Sequence, residues 1–336
     1  MSRVTLSDIA AELGVSTMTV SRAMRDQPGV AHEMRERIKE TAQRLGYCPD
    51  PEMGRLMRHL RRGSKAQLKA NLCAVTNFPP GEEPRYSARL CRYAAEHAQA
   101  LGFRFSLIRV SSVTGDWSAT LRMMKARGVA GVLLLPMVGP TELSALDWSG
   151  LSVVSATSSV TQPRFHEVAP NHSANARLMI DHLAARGYRR IGYVGLTPHA
   201  QRTREALPAA LAWHHARHQV RCEPLLFMPD EPMPDIVVWA QREQPEVILV
   251  GRPPDQPGFQ QALERAGIRV AWALANSRAF FDYAPGLDER DDLIGVCAVS
   301  TLSDLFVRAE RGIPEIPTSI SITGQWVDPQ DATMLR

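Results

Sequence analysis

The sequence predicts an all-α helix-turn-helix head followed by an α/β core of two doubly wound parallel-sheet lobes. Three observations carry that expectation. The first 24 residues hold two short, capped helix patterns around a glycine. From about residue 70 onward, apolar runs of strand length alternate with helical stretches, the pattern of parallel sheets covered on both faces. Charge is divided unevenly: residues 1–65 carry twelve Lys+Arg against eight Asp+Glu, a net of +4 that equals the formal charge of all 336 residues. The rest of the chain therefore balances to zero, a basic head on a neutral body. At 44% hydrophobic and 22% charged, the chain is long enough for a small head and a two-lobed core.

The head begins at Thr5, with Asp8 three residues on, a capping-box pattern in which hydroxyl and carboxylate satisfy orphan backbone N–H groups. Ile9, Ala10 and Leu13 then recur at helical spacing, and Gly14 is free to take the left-handed turn that ends the helix. Ser16 is placed to cap a second helix, whose Val20 and Ala23 point back at the first. Thr17, Met18, Ser21 and Arg22 point away. Hydroxyls, a thioether and an arginine pack poorly but suit base edges and phosphates in a major groove. Ser16 would cap a helix whatever else it touched, so its own case for DNA contact is weaker.

The run Val4 to Ala10, Gly14 to Arg22, then Val30, Arg35, Gly46-Tyr47-Cys48-Pro49 and Leu56, resembles the headpiece of the lactose-repressor (LacI/GalR) family of bacterial transcription regulators. The resemblance implies that Thr17, Met18 and Arg22 read operator bases. It implies that Thr5, Ser16, Thr19 and Ser21 grip phosphates, with Leu6 beside them, and that Leu56 wedges into a minor-groove step. The charge excess agrees, because neutralising phosphates releases counterions.

The head is expected over 1–49 and a hinge helix with its linker over 50–67. Asp50 can cap, Pro51 suits a first helical position, and Met53, Leu56, Met57 and Leu60 fall on one face, surrounded by Arg55, Arg58, Arg61 and Arg62. By the resemblance this helix pairs with its twin and enters the minor groove, with Met53, Leu56 and Met57 as contacts. Met53 and Gly54 depart from the family's usual residues, and Gly54 costs an isolated helix about 1 kcal/mol against alanine. The helix is therefore expected to fray without DNA.

The core is expected over 68–336. Strands are predicted at 72–75, 103–108, 131–135, 153–156, 191–195, 247–250 and 268–272, and helices near 84–101, 116–127, 172–187, 199–217, 234–243, 256–266 and 289–311. Chain crossings near 157–168, 286–288 and 315–318 would divide it into an N-lobe of about 68–166 and 289–316 and a C-lobe of about 167–288 and 317–336. Ala184 to Gly192, Glu310 to Pro314 and Gly324-Gln325-Trp326-Val327 also resemble that family. This implies a periplasmic-binding-protein-like core whose cleft binds a small effector and biases two lobe arrangements.

Candidate effector-binding residues are Asn77, Tyr86, Arg204, Arg252, Asn276 and Asp282, polar side chains that follow strand ends. Leu207 stands where the family has a glycine, and Trp272 to Asn276 lacks the acidic residue common after that strand. A sugar or sugar derivative is one possible effector; a nucleoside is another.

No dinucleotide-binding, phosphate-loop, zinc-protease or nucleophile-elbow motif occurs, so no enzyme, cofactor or metal is expected. His214 and His218 share a helix face but lack a third ligand nearby. The alternative is a small-molecule-binding or metabolic enzyme core bearing a helical head that binds no DNA. Five cysteines without a Cys-x-x-Cys pair, and no apolar leader, predict a cytoplasmic protein. One head reads too few base pairs for specificity, and only ten residues follow Trp326, so a homodimer on a palindrome is expected.

Overall fold

A computed structural model describes residues 6–24, 29–45, 70–110, 115–156, 158–229, 235–251, 256–277 and 285–328. Thr5, Met53, Leu56, Met57, Arg252 and Asp282, with the expected hinge helix over 50–67, lie outside the described residues, as do the side chains of Leu6, Met18 and Ser21. The chain divides into two compact units, Met1–Lys69 with Asp304–Glu310, and Ala70–Ser303 with Arg311–Arg336.

The head is built from α1 (Leu6–Leu13), α2 (Thr17–Ala23) and α3 (His32–Arg44). Gly14 has a φ of 65°, as the turn requires, and the N–H of Val15 closes it onto the Ala10 carbonyl at 3.1 Å. Ile9, Ala10, Val20, Ala23, Ile38 and Ala42 form one buried cluster, so each helix contributes two small or branched residues to a close three-way contact. Arg44 ties the end of α3 to Glu12 of α1 by an ion pair.

The core holds two six-stranded sheets. The first contains β1 (Asn71–Thr76), β2 (Arg104–Arg109), β3 (Val129–Leu134), β5 (Ser152–Ser155), β7 (His166–Pro170) and β13 (Ser319–Ile322), in the order β13-β7-β5-β3-β1-β2. The second contains β8 (Ile191–Leu196), β9 (Leu225–Phe227), β10 (Val247–Val250), β11 (Ala271–Leu274), β12 (Gly286–Asp288) and β14 (Gln325–Val327), in the order β14-β12-β11-β10-β8-β9. A two-stranded ribbon pairs β4 (Thr141–Glu142) with β6 (Val160–Gln162).

All neighbours within the two large sheets run parallel except β12 and β14, which are antiparallel. Parallel strands need crossovers, and these are α4 (Arg85–Ala100), α5 (Trp117–Ala126), α6 (His172–Ala185), α7 (Thr197–Arg202), α8 (Ala206–His218), α9 (Ile236–Glu243), α10 (Gln256–Arg265) and α11 (Asp291–Arg308). Strands such as β10 and β5 are buried along their whole length, which is why they read as unbroken apolar runs. Helices on opposite faces of the second sheet give two separate clusters. One packs around Met179, Leu183 and Leu211, the other around Trp239, Phe259 and Leu263.

Four expectations need correction. The crossings between sheets fall later than the sequence suggests: β7 still belongs to the first sheet, and so does β13, so the chain changes sheets at 170–172, 288–291 and 322–325. The expected strand at 268–272 is displaced to 271–274, because Ile268 is spent closing α10, its N–H bonded to the Leu263 carbonyl at 2.9 Å. The expected helix over 199–217 is broken into α7 and α8, because Arg204 and Glu205 both adopt φ of 54°. The second sheet is mixed, because the chain crosses back at Gly324 and leaves β14 to close its edge against β12.

Candidate functional site

In the head, Ser16 caps α2 and accepts from the N–H of Thr19 at 3.1 Å, while the two hydroxyls lie 2.9 Å apart. Thr19 is half-buried and its hydroxyl is drawn into this cap. Thr17 and Arg22 are exposed, whereas Val20 and Ala23 of the same helix are buried. The guanidinium of Arg22 is reached from the turn at Gly29, where an added Cβ would lie 3.7 Å from its Nη1. The helix thus keeps a threonine and an arginine exposed and rests on a packed core through Val20 and Ala23. That is the arrangement needed to enter a groove without disturbing the helix itself.

In the core, a cavity gathers residues that follow the carboxyl ends of strands in both sheets. Tyr86 comes after β1, Ser158 and Ser159 after β5, and His172 after β7. From the second sheet come His199 and Arg202 after β8, Gly251 after β10, Asn276 after β11 and Glu289 after β12. Carboxyl ends of parallel strands leave a crevice where the connecting loops diverge, which is why ligands bind there in open α/β sheets. The floor is apolar and includes Met179, Tyr193, Leu207 and Leu287.

The floor is shaped by small residues. The Tyr193 hydroxyl occupies space that a Cβ on Gly195 or Gly251 would invade at 2.8 Å. Burial raises the pKa of that phenol to about 12, so it stays a neutral donor.

The polar wall is electrostatically unusual. Asn276 Nδ2 donates to Glu289 Oε2 at 2.5 Å, and His172 Nδ1 lies 3.7 Å from Glu289 Oε1. Burial raises the Glu289 carboxyl to about 7, against the lowering effect of the Asn276 hydrogen bond. Burial lowers the His172 imidazole to about 4, and the charges of Arg202 and Arg204 push it further down. The two neighbours therefore meet as neutral groups between about pH 4 and 7, and above that range the carboxyl ionises beside a neutral imidazole. Arg202 Nη2 reaches His199 Nδ1 at 2.8 Å.

Of the expected effector residues, Tyr86 and Asn276 line this cavity. Arg204 lines the adjoining groove. Asn77 does not line either: it is buried and its Oδ1 accepts from the Val138 N–H at 2.6 Å, which fastens the loop after β3 to the end of β1. Sequence reasoning missed His172, His199, Arg202 and Glu289. The strand-end rule would have found His172 and Glu289 had β7 and β12 been recognised. His214 is committed to the Arg189 carbonyl, with Nε2 3.0 Å from that oxygen.

Comparison with known proteins matches residues 5–50 to the model of bacterial regulatory proteins of the lacI family, and residues 180–275 to the periplasmic binding protein-like domain. The HTH-type transcriptional regulator TreR of Escherichia coli is 26% identical over 238 residues, 68% of this chain and 69% of that one. IpsA of Corynebacterium glutamicum, also an HTH-type transcriptional regulator, is 29% identical over 57% of this chain and 52% of its own. A sucrose operon repressor of Shigella flexneri is 26% identical over 55% and 53% respectively. Among solved structures, the lac repressor dimer bound to operator and an anti-inducer aligns over 97% of this chain and 98% of its own, with TM-score 0.53 and 17% identity. The complex of the transcriptional regulator CelR with cellobiose covers the same shares, with TM-score 0.56 and 16% identity.

Proposed function

We propose that this chain, which belongs to the lacI family of bacterial regulatory proteins, represses transcription as a homodimer on a palindromic operator and releases or grips it according to a small polar effector in the core cavity. The observation that carries the effector site is the convergence of polar side chains from the carboxyl ends of strands in both sheets on one cavity. A ligand there touches both sheets at once, so it binds unequally to arrangements that differ in how the sheets are spaced, and only such differential binding can shift a conformational equilibrium. A carbohydrate or related polyol suits the wall: Asn276, His172, Ser159 and Tyr86 offer mixed donors and acceptors above an apolar floor.

In this reading Thr17, Met18 and Arg22 contact bases, Thr5, Leu6, Ser16, Thr19 and Ser21 lie along phosphates, and Met53, Leu56 and Met57 enter the minor groove. The protein works in the cytoplasm, where its operator is, and catalyses no reaction; its relatives are regulators. Among the described residues no helix is long and apolar enough to cross a membrane.

Selection of bound fragments from a bacterial genome tests this directly. A recurring palindrome, bound by a species of twice the monomer mass in light scattering, is the expected result. Turnover of a metabolite by protein that selects no sequence would replace this reading with an enzymatic one.

A further inference from the structure

A second pocket lies beside the second sheet, between α8 and the segment 220–224 that leads into the edge strand β9. It shares one lining residue with the effector cavity, Tyr193 of β8, whose hydroxyl stands close to Gly251 of that cavity. The walls of the pocket are apolar, with Pro208, Leu211, Ala212 and Ala216 from α8 and Val220 and Pro224 from the segment. The two charges on the lining, Arg221 and Glu223, pair with each other at 3.1 Å and lie largely in solvent.

Two further polar groups line the pocket, and both are neutral. Burial raises the Cys222 thiol to about 12, so it stays protonated. Burial also lowers the pKa of the His215 imidazole. His215 is 6% exposed, and its Nε2 has no hydrogen-bond partner among the described residues. The ring donates a hydrogen bond to the Ile191 backbone, which uses its one proton and leaves Nε2 as a bare acceptor. A buried acceptor without a donor is costly, and a ligand that brings an O–H or N–H recovers that cost.

We propose that this pocket is a second small-molecule site, backing onto the effector cavity through Tyr193, and that it takes an uncharged molecule about the size of one aromatic ring with a hydrogen-bond donor for His215. A charged ligand would find no counterion, because Arg221 and Glu223 already satisfy each other. A purely apolar one would leave His215 without its donor. Burial against the apolar walls holds such a ligand, and the single hydrogen bond orients it. The site stands whether or not the crevice binds an effector, since the two linings have only Tyr193 in common.

The test uses the full chain with phenol and anisole, which share a ring and differ in the donor. Followed through the methyl NMR signals of Leu211 and Val220, phenol should bind at one site and about tenfold more tightly than anisole. Ala212 and Ala216 are both exposed on the lining, so Ala212→Trp fills the pocket without entering the core, and Ala216→Trp serves if the first variant does not fold. Either should weaken phenol tenfold or more. His215→Phe keeps the ring volume and should bring phenol down to the level of anisole. The proposal is overturned if phenol leaves those signals unmoved, if anisole binds as tightly in wild type, or if a filled variant of unchanged unfolding temperature binds phenol as wild type does.

Discussion

Asn276 and Glu289 are joined by a hydrogen bond of 2.5 Å between the Nδ2 of one and the Oε2 of the other, linking the loop that follows β11 to the end of β12. The bond holds a carboxyl group on the cavity wall with a fifth of its side chain accessible. Burial raises its pKa from 4.5 to about 7. The folded state therefore binds this proton more tightly than the unfolded chain does. Its favourable contribution is complete below pH 4.5 and is lost as pH rises through 7. Glu289→Gln keeps the acceptor for Asn276 and removes the titration. It should leave stability unchanged near pH 4.5 and raise it at pH 8, by up to about 3 kcal/mol before solvent screening is allowed for. Urea unfolding of both proteins at the two pH values checks this, and an equal difference at both would refute it.

His172 acts in the opposite sense. Its pKa falls from 6.5 to about 4, so its contribution is present above pH 6.5 and is lost as pH falls toward 4. His172→Gln should flatten the stability profile between those limits, leaving the alkaline side as in wild type. A profile that still falls by the same amount below pH 6.5 would remove His172 as the cause.

The head separates a structural from a recognition residue. Ser16→Ala removes the cap that receives the Thr19 N–H and should cost about 1 kcal/mol of head stability. Arg22→Ala removes an exposed side chain and should leave stability unchanged while weakening operator binding by about 1–3 kcal/mol and relaxing preference at one base pair. Thermal unfolding and a binding selection on each variant distinguish the two. If Arg22→Ala selects the same sequences as wild type, its base contact is wrong.

Gly286 is fixed by sterics. An added Cβ would lie 2.2 Å from the Leu274 carbonyl oxygen, on backbone that cannot turn aside because β11 and β12 pair at that point. Gly286→Ala should cost about 3 kcal/mol or more and disturb the cavity, since Asn276 and Glu289 follow those two strands. Near-native stability in guanidinium would show that the strands part more easily than their pairing implies.

Leu56→Ala should lower operator affinity and the bend angle together, because an apolar wedge opens a base step only by being inserted. Gel mobility of circularly permuted operator fragments reads the angle. Full bending by the variant would contradict the wedge.

Much of the head is legible in the sequence because its signals are local. Ser16 caps its own helix, Gly14 makes its own turn, and Ile9, Val20 and Ala23 declare their buried side by spacing alone. The longer core strands are legible for a related reason: sheets covered on both faces demand unbroken apolar runs, as in Val247 to Val250. The short or polar ones are not. β7 contains a histidine, a glutamate and a proline, and β12 is three residues long, so nothing in either segment outweighs a loop until the neighbouring strand is in place. The break at Arg204 and Glu205 was equally hidden, since neither residue favours left-handed backbone and only the surrounding hydrogen bonds hold them there.

By itself, then, the sequence determined the head, the alternating order of strands and helices, and the uneven charge, because each follows from spacing, capping or composition within a short stretch of chain. Tertiary structure decided where the chain passes between sheets and which polar residues share a cavity. Tyr86, His172, Arg202, Asn276 and Glu289 are separated along the chain and meet only because their strands end at the same crevice. Their burial, and with it the raised pKa of Glu289 and the lowered pKa of His172, comes from that meeting rather than from any residue's neighbours in the sequence.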